Sequence, residues 1–83
     1  MTLEYITNSI DKKIYKNKAM IIYTFNELRV REELSKEETA TFIYYAKIRL
    51  ENLGYKVFLT GDRFLHNGFE MVVQEDKLLV AIK

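Results

Sequence analysis

The sequence has no cysteine, so disulfide staples and thiolate chemistry are both closed to it. A small domain without staples relies on regular packing or on a partner subunit. There is one histidine, His66, and there are two serines, Ser9 and Ser35. A zinc site takes three or four His, Cys or carboxylate ligands, and nothing in the order of residues brings carboxylates to His66. A serine nucleophile would need Ser9 or Ser35, but Ser35 sits where a helix cap is expected and Ser9 lies mid-helix without a nucleophile elbow. Of the three glycines, Gly54 ends a helix and Gly61 and Gly68 make turns, which leaves none for a phosphate-cradling loop. The chain has no proline, repeat or low-complexity linker to divide it. Its longest apolar runs, Ala19–Tyr23 and Leu78–Ile82, are five residues each, against the ~20 needed to cross a bilayer. No basic region followed by an apolar core opens the sequence, so no signal peptide is read and a cytoplasmic setting without membrane contact is expected. The net charge of +1 is neither the excess of a nucleic-acid binder nor the acidity of a DNA mimic.

What is present is enough for one folded domain. Eighty-three residues, 48% of them apolar and eleven aromatic, can build a core but bury it thinly, roughly 60–65% of the unfolded surface. Size scaling gives a radius of gyration of about 12 Å. The abundance of Lys, Ile, Asn, Tyr and Glu is what AT-rich codons supply, which points to an AT-rich bacterium or its phage.

Leu3, Ile6, Ile10 and Ile14 recur at three- and four-residue spacing and predict an amphipathic helix over 2–16, with Thr2 as N-cap. Ala19–Phe25 is β-branched and aromatic and reads as a buried strand. For residues 26–34 two readings stand: a hairpin folding back at Asn26-Glu27, pairing Phe25 with Leu28 and Tyr23 with Val30, or a short helical turn. Ser35-Lys-Glu-Glu38 is a capping box opening a helix that runs to Leu53 and stops at Gly54. Phe42, Ile43, Ala46, Leu50 and Leu53 fall on its core-facing arc, and Tyr44 and Ile48 fall outside it.

Beyond Gly54 the pattern turns to strands. Tyr55–Thr60 is one. Asn67-Gly68 is the strongest hairpin signal in the chain, which makes Arg63–Glu70 a turn region and His66 a turn-flanking residue. Phe69–Gln74 and Lys77–Lys83 flank Glu75-Asp76 and read as a final hairpin, with Val73 opposite Leu78, Met71 opposite Val80 and Phe69 opposite Ile82. Its second face, carrying Val72 and Leu79, is also partly apolar and calls for a cover from the first helix or a second subunit. Lys77–Lys83 reads as a sheet edge guarded by lysines. The expected fold is α+β in the order α-β-α-β-β-β: two helices and a small antiparallel sheet, a C-terminal three-stranded meander plus an earlier strand or hairpin.

No residue is assigned as catalytic, cofactor-binding or metal-binding. Lys12, Lys13, Lys16 and Lys18, interleaved with Tyr15, form the one basic cluster and supply a nucleic-acid-binding alternative through phosphate contacts. Glu27, Glu32, Glu33, Glu37 and Glu38 form an opposing acidic region, and two oppositely charged ends on one body can align two copies. Asp62, followed by Glu75-Asp-Lys77, resembles the metal-binding core of restriction-endonuclease-like nucleases. That resemblance implies carboxylates holding magnesium and a lysine activating water, although in that family the Glu and Lys share a strand and here they flank a turn.

The main expectation is therefore a non-catalytic protein-binding or regulatory module, homodimeric, of the accessory or inhibitor kind carried by phages and mobile elements. Its contact residues are Tyr44, Ile48, Val72 and Leu79, which would act by occluding a protein partner. Weak nucleic-acid binding and a magnesium-dependent nuclease are the alternatives.

Overall fold

The computed structural model describes all 83 residues. In chain order they form α1 (Leu3–Lys16), β1 (Met20–Thr24), a π-helical turn (Asn26–Arg31), α2 (Lys36–Asn52), β2 (Lys56–Leu59), β3 (Arg63–His66), β4 (Phe69–Val72) and β5 (Lys77–Ile82). The fold is α+β, with a radius of gyration of 12.3 Å. No helix is long and apolar enough to cross a membrane.

The helix ends follow their local chemistry. The Thr2 hydroxyl accepts from the Tyr5 amide at 3.1 Å and caps α1. At α2 the Ser35 hydroxyl accepts from the Glu38 amide (3.0 Å) while the Glu38 carboxylate accepts from the Ser35 amide (2.9 Å), which satisfies two helix-end donors reciprocally. Gly54, at φ +93°, closes the helix with paired bonds from its own amide to Glu51 and from the Tyr55 amide to Leu50. The core-facing stripe of α2 is Thr39, Phe42, Ala46 and Leu50. Phe42, Ala46 and Leu50 lie where expected and the half-buried Ile43 packs against the core, but Leu53 is exposed and Thr39 joins the stripe one turn earlier. Thr39 tolerates burial because its hydroxyl donates to the Ser35 carbonyl at 2.8 Å.

Residues 26–34 take the helical alternative, and the Phe25/Leu28 and Tyr23/Val30 pairings do not form. The Thr24 hydroxyl accepts from the Glu27 amide. The Glu32 amide then reaches five residues back to Glu27, and the Leu34 amide reaches Leu28. This wide turn drops Leu28 into the core and leaves Phe25 and Val30 outside.

The strand topology departs from the expected meander. β5 is the centre of a three-stranded antiparallel sheet, order β1-β5-β2, and is not an edge. β4 pairs with β3, with His66 opposite Phe69 and Phe64 opposite Met71, and no β4–β5 hairpin exists. β5 instead aligns Leu79 with both Tyr23 and Leu59, and Ala81 with both Ile21 and Val57. These residues face the helices, and with Ile6, Ile10, Leu28, Phe42, Leu50 and Tyr55 they make the core. The reason lies in β5 itself. Leu78–Ile82 is the most apolar strand, and in the centre its backbone N–H and C=O groups pair on both sides, whereas an edge would leave one row open.

Asn67 (φ +53°) and Gly68 (φ +82°) form the expected tight turn, which needs positive φ at both central residues. This turn closes one long ribbon in which β2 continues into β3 and β4 returns into β5. Bonds from Gly61 N–H to Val73 C=O and from Val73 N–H to Asp62 C=O, each 2.9 Å, carry the ribbon across its kink. Gln74-Glu75-Asp76 takes up the slack on the return leg.

Candidate protein-binding surfaces

The β3–β4 hairpin projects from the body as a two-stranded unit with both edges unpaired. One face carries Phe64, His66, Phe69 and Met71, and the other carries Arg63, Leu65, Glu70 and Val72. Leu65 is 77% exposed and Phe69 71%, with Met71 and Val72 near 45%. Single surface apolars are ordinary, but here several share one projecting element and make an exposed apolar patch. Arg63 and Glu70 are paired across the strands at 3.4 Å, but both are so exposed that the pair contributes little. The hairpin is fixed to the body by Phe64, whose ring stacks on Phe58 at 4.4 Å.

Phe58 belongs to the sheet face turned away from the helices. Two cross-strand rows occupy that face, Met20–Ile82–Lys56 and Ile22–Val80–Phe58. Five of these six residues are apolar. No helix covers them, but Val80 is buried, Met20, Ile22, Phe58 and Ile82 are half-buried, and the base of the hairpin, through Phe64 and the buried Val73, closes one end. The face and the hairpin therefore form adjacent apolar surface.

The sequence-derived contact residues divide between different surfaces. Tyr44, 61% exposed, and Ile48 do lie on the outside of α2. They line separate grooves, however, with Tyr44 facing the π-helical turn and β2 and Ile48 facing α1. Tyr44 and Tyr45, in edge contact at 5.2 Å, form the ridge between them. Val72 is exposed on the hairpin. Leu79 is fully buried between Tyr23 and Leu59 and cannot touch a partner, because β5 is central. The expected β4–β5 hairpin would have covered Phe69 and Met71 with Ile82 and Val80, and the turn reading accounted for Leu65; pairing of β4 with β3 instead leaves all three exposed. The available signal was the density of large apolar side chains on both sides of Asn67-Gly68.

The lysine cluster is only partly a cluster. Lys13 Nζ donates to the Ile22 carbonyl (2.8 Å) and to Glu27 Oε1 (2.9 Å), and it lies 4.4 Å from the centre of the Tyr23 ring. It is a structural cation joining α1 to β1 and the π-helical turn. Lys12 and Lys16 border a polar cleft shared with Glu27 and Glu32, whose negative charge opposes phosphate. Beside the cleft, burial first and then the Glu32 carboxylate, to which its hydroxyl donates, push the Tyr5 hydroxyl pKa up to about 12. Burial likewise pushes the Tyr23 hydroxyl up, and Ser9, at 2.8 Å, satisfies it.

The residues of the nuclease-like pattern do not converge. Asp62 Oδ2 accepts from the Leu59 amide at 2.8 Å and shapes the ribbon kink, Glu75 sits in the return turn, and Lys77 pairs with its neighbour Asp76. No three of the His, Asp and Glu side chains come together in a group able to hold a metal ion. The His66 ring touches the side chain of Asn67 at 3.5 Å. No protein-family model, curated protein or solved structure matches this chain.

Proposed function

We propose that this chain is a small, non-catalytic protein-binding module of regulatory type, homodimeric, that acts by covering part of a partner. The observation that carries this reading is the projecting β3–β4 hairpin, which exposes large apolar side chains on both faces and is held at one end only. An isolated two-stranded ribbon is marginal in water, and an exposed pair of strand edges invites pairing with another chain. In the dimer a second copy packs on the helix-free face and hairpin, which turns the surface that most disfavours a monomer into the interface. Tyr44 and Ile48, on the opposite side of the sheet, are then left available to a different protein. The non-catalytic part rests on the use of both serines and Asp62 in structural contacts, Ser9 to Tyr23, Ser35 to Glu38 and Asp62 to the ribbon kink, and on the isolation of His66 from any acidic partner.

Size-exclusion chromatography with light scattering tests the reading. The expected result is a dimer that Phe69→Glu and Met71→Glu convert to a monomer with unchanged helical circular dichroism. A wild-type chain that is monomeric at every accessible concentration overturns the homodimer. A pull-down in which neither the hairpin variants nor Tyr44→Glu and Ile48→Glu lose a captured partner overturns the contact surfaces.

A further inference from the structure

A second surface, independent of the hairpin, points to the chemistry of a partner. Between α2, the π-helical turn and β2 lies an open groove of about 510 Å³, within the size range of ligand sites. Phe25, Ile43, Tyr44, Leu59 and Leu78 supply its apolar floor and walls. The charged groups that line it are Arg29, Lys36 and Lys47, and no acidic side chain is among them. In a chain of net charge +1 with twelve acidic residues, this is a local concentration of one sign.

The three cations are not consumed by the fold to the same degree. Arg29 donates through Nε to the Leu34 carbonyl (3.1 Å) and lies 5.4 Å from the Phe25 ring, so its position is fixed while the outer nitrogens point on. Lys47 holds Glu51 one turn along at 3.2 Å in an exposed pair, a kind of contact that contributes little and is easily exchanged. Lys36 forms no ion pair. It occupies the first position of α2, where Glu37 and Glu38 already offset the helix dipole, and its own charge lines the groove.

We infer that this groove binds an acidic amphipathic peptide segment of a protein partner, with apolar side chains against Tyr44, Ile43 and Leu59 and carboxylates towards Arg29, Lys36 and Lys47. The groove is open to solvent along its length, which suits a helix or strand laid into it better than a small molecule enclosed by it. Carboxylates, which Arg and Lys recognise by charge-assisted hydrogen bonds, complement all three cations at once.

Fluorescence anisotropy with two designed labelled peptides tests this. Both carry leucines at helical spacing; one has glutamates on its polar face and the other has lysines. The acidic peptide is expected to bind at least about tenfold more tightly, with affinity falling as salt is raised. The double variant Lys36→Glu/Lys47→Glu, which leaves the Arg29–Leu34 contact intact, should lose that preference. Tyr44→Ala should weaken both peptides, and the hairpin variant Phe69→Glu should weaken neither, which separates this result from the fate of the hairpin reading. Equal binding of the two peptides, no binding of either, or saturation by dodecanoate without peptide binding would each overturn the inference.

Discussion

The rings of Phe58 and Phe64 stack with centroids 4.4 Å apart and planes 15° from parallel. Phe58 is a residue of the sheet and Phe64 a residue of the projecting hairpin, so this contact couples a stable element to one with little support of its own. Phe64→Ala should cost about 1–2 kcal/mol in denaturant unfolding, since the pair is half-buried and aromatic pairs add roughly 0.5–1.5 kcal/mol beyond area. The selective effect is more telling. Amide exchange should accelerate in Arg63–Val72 and stay slow in β1, β5 and β2. Uniform loss of protection across both sheets would show that the hairpin is not a separate unit.

Lys13 and its sequence neighbours should behave differently. Lys13→Met removes bonds to the Ile22 carbonyl and Glu27 and should destabilise the fold by about 1–2 kcal/mol, in the range for hydrogen bonds to charged groups at a half-buried site. Lys12→Glu and Lys16→Glu should stay within about 0.5 kcal/mol, as surface changes do. The same variants decide the nucleic-acid alternative. A salt-sensitive gel shift with single-stranded DNA that Lys12→Glu/Lys16→Glu/Lys18→Glu abolishes would establish it, and absence of any shift is expected.

These contrasts show which features were readable from the order of residues. Elements governed by neighbours in sequence were legible: the Thr2 cap, the Ser35–Glu38 box, the stop at Gly54 and the turn at Asn67-Gly68 each depend on side chains and φ values within a few positions. The partner of a strand is not local information. Glu75-Asp76 between two apolar runs predicts a hairpin as well as any turn does, yet β5 gains more by lying between β1 and β2, where Leu79 and Ala81 are covered on both sides. That non-local gain moved Leu79 from the surface to the core. It also left Leu65 and Phe69, which flank the Asn67-Gly68 turn, as the most exposed large apolar side chains of the ribbon.

Glu33 sits at φ +54°, the left-handed region that a residue with a Cβ enters at a cost of about 1–2 kcal/mol. Its place is imposed from both sides, by the π-helical turn behind it and the α2 cap ahead. Glu33→Gly should therefore stabilise the protein by about 1 kcal/mol, visible as a rise of roughly 4–8 °C in Tm for a domain of this size. An unchanged or lower Tm would mean that the Glu33 side chain makes a compensating contact.

The capping box predicts an acid dependence. The backbone and hydroxyl bonds to Ser35 hold the Glu38 carboxyl below its usual pKa. A carboxylate depressed in the folded state contributes stability above its unfolded pKa, and this contribution is lost as pH falls through the lowered value. Thermal unfolding followed downward from neutral pH should show wild type losing more than Glu38→Gln, whose side chain still accepts from the Ser35 amide without titrating. Parallel curves for the two would remove Glu38 from the account.

Tyr5 predicts the opposite dependence at the alkaline end. Its hydroxyl is held protonated by burial and by the Glu32 carboxylate, with the pKa pushed up to about 12, whereas a tyrosine in the unfolded chain ionises near 10. A group that keeps its proton longer when folded lends stability below the unfolded pKa and withdraws it as pH rises towards the folded one. Unfolding measured between pH 9 and pH 12 should therefore show a decline that Tyr5→Phe lessens without abolishing, because the Tyr23 hydroxyl is raised as well. Absorbance at 295 nm gives an independent reading, since the Tyr5 and Tyr23 hydroxyls should ionise well above 10 or together with unfolding. Glu32→Gln takes away the neighbouring charge and should bring the Tyr5 titration back towards 10, but not fully, because burial is the larger cause. If the titration does not move, the carboxylate has no part in holding that proton.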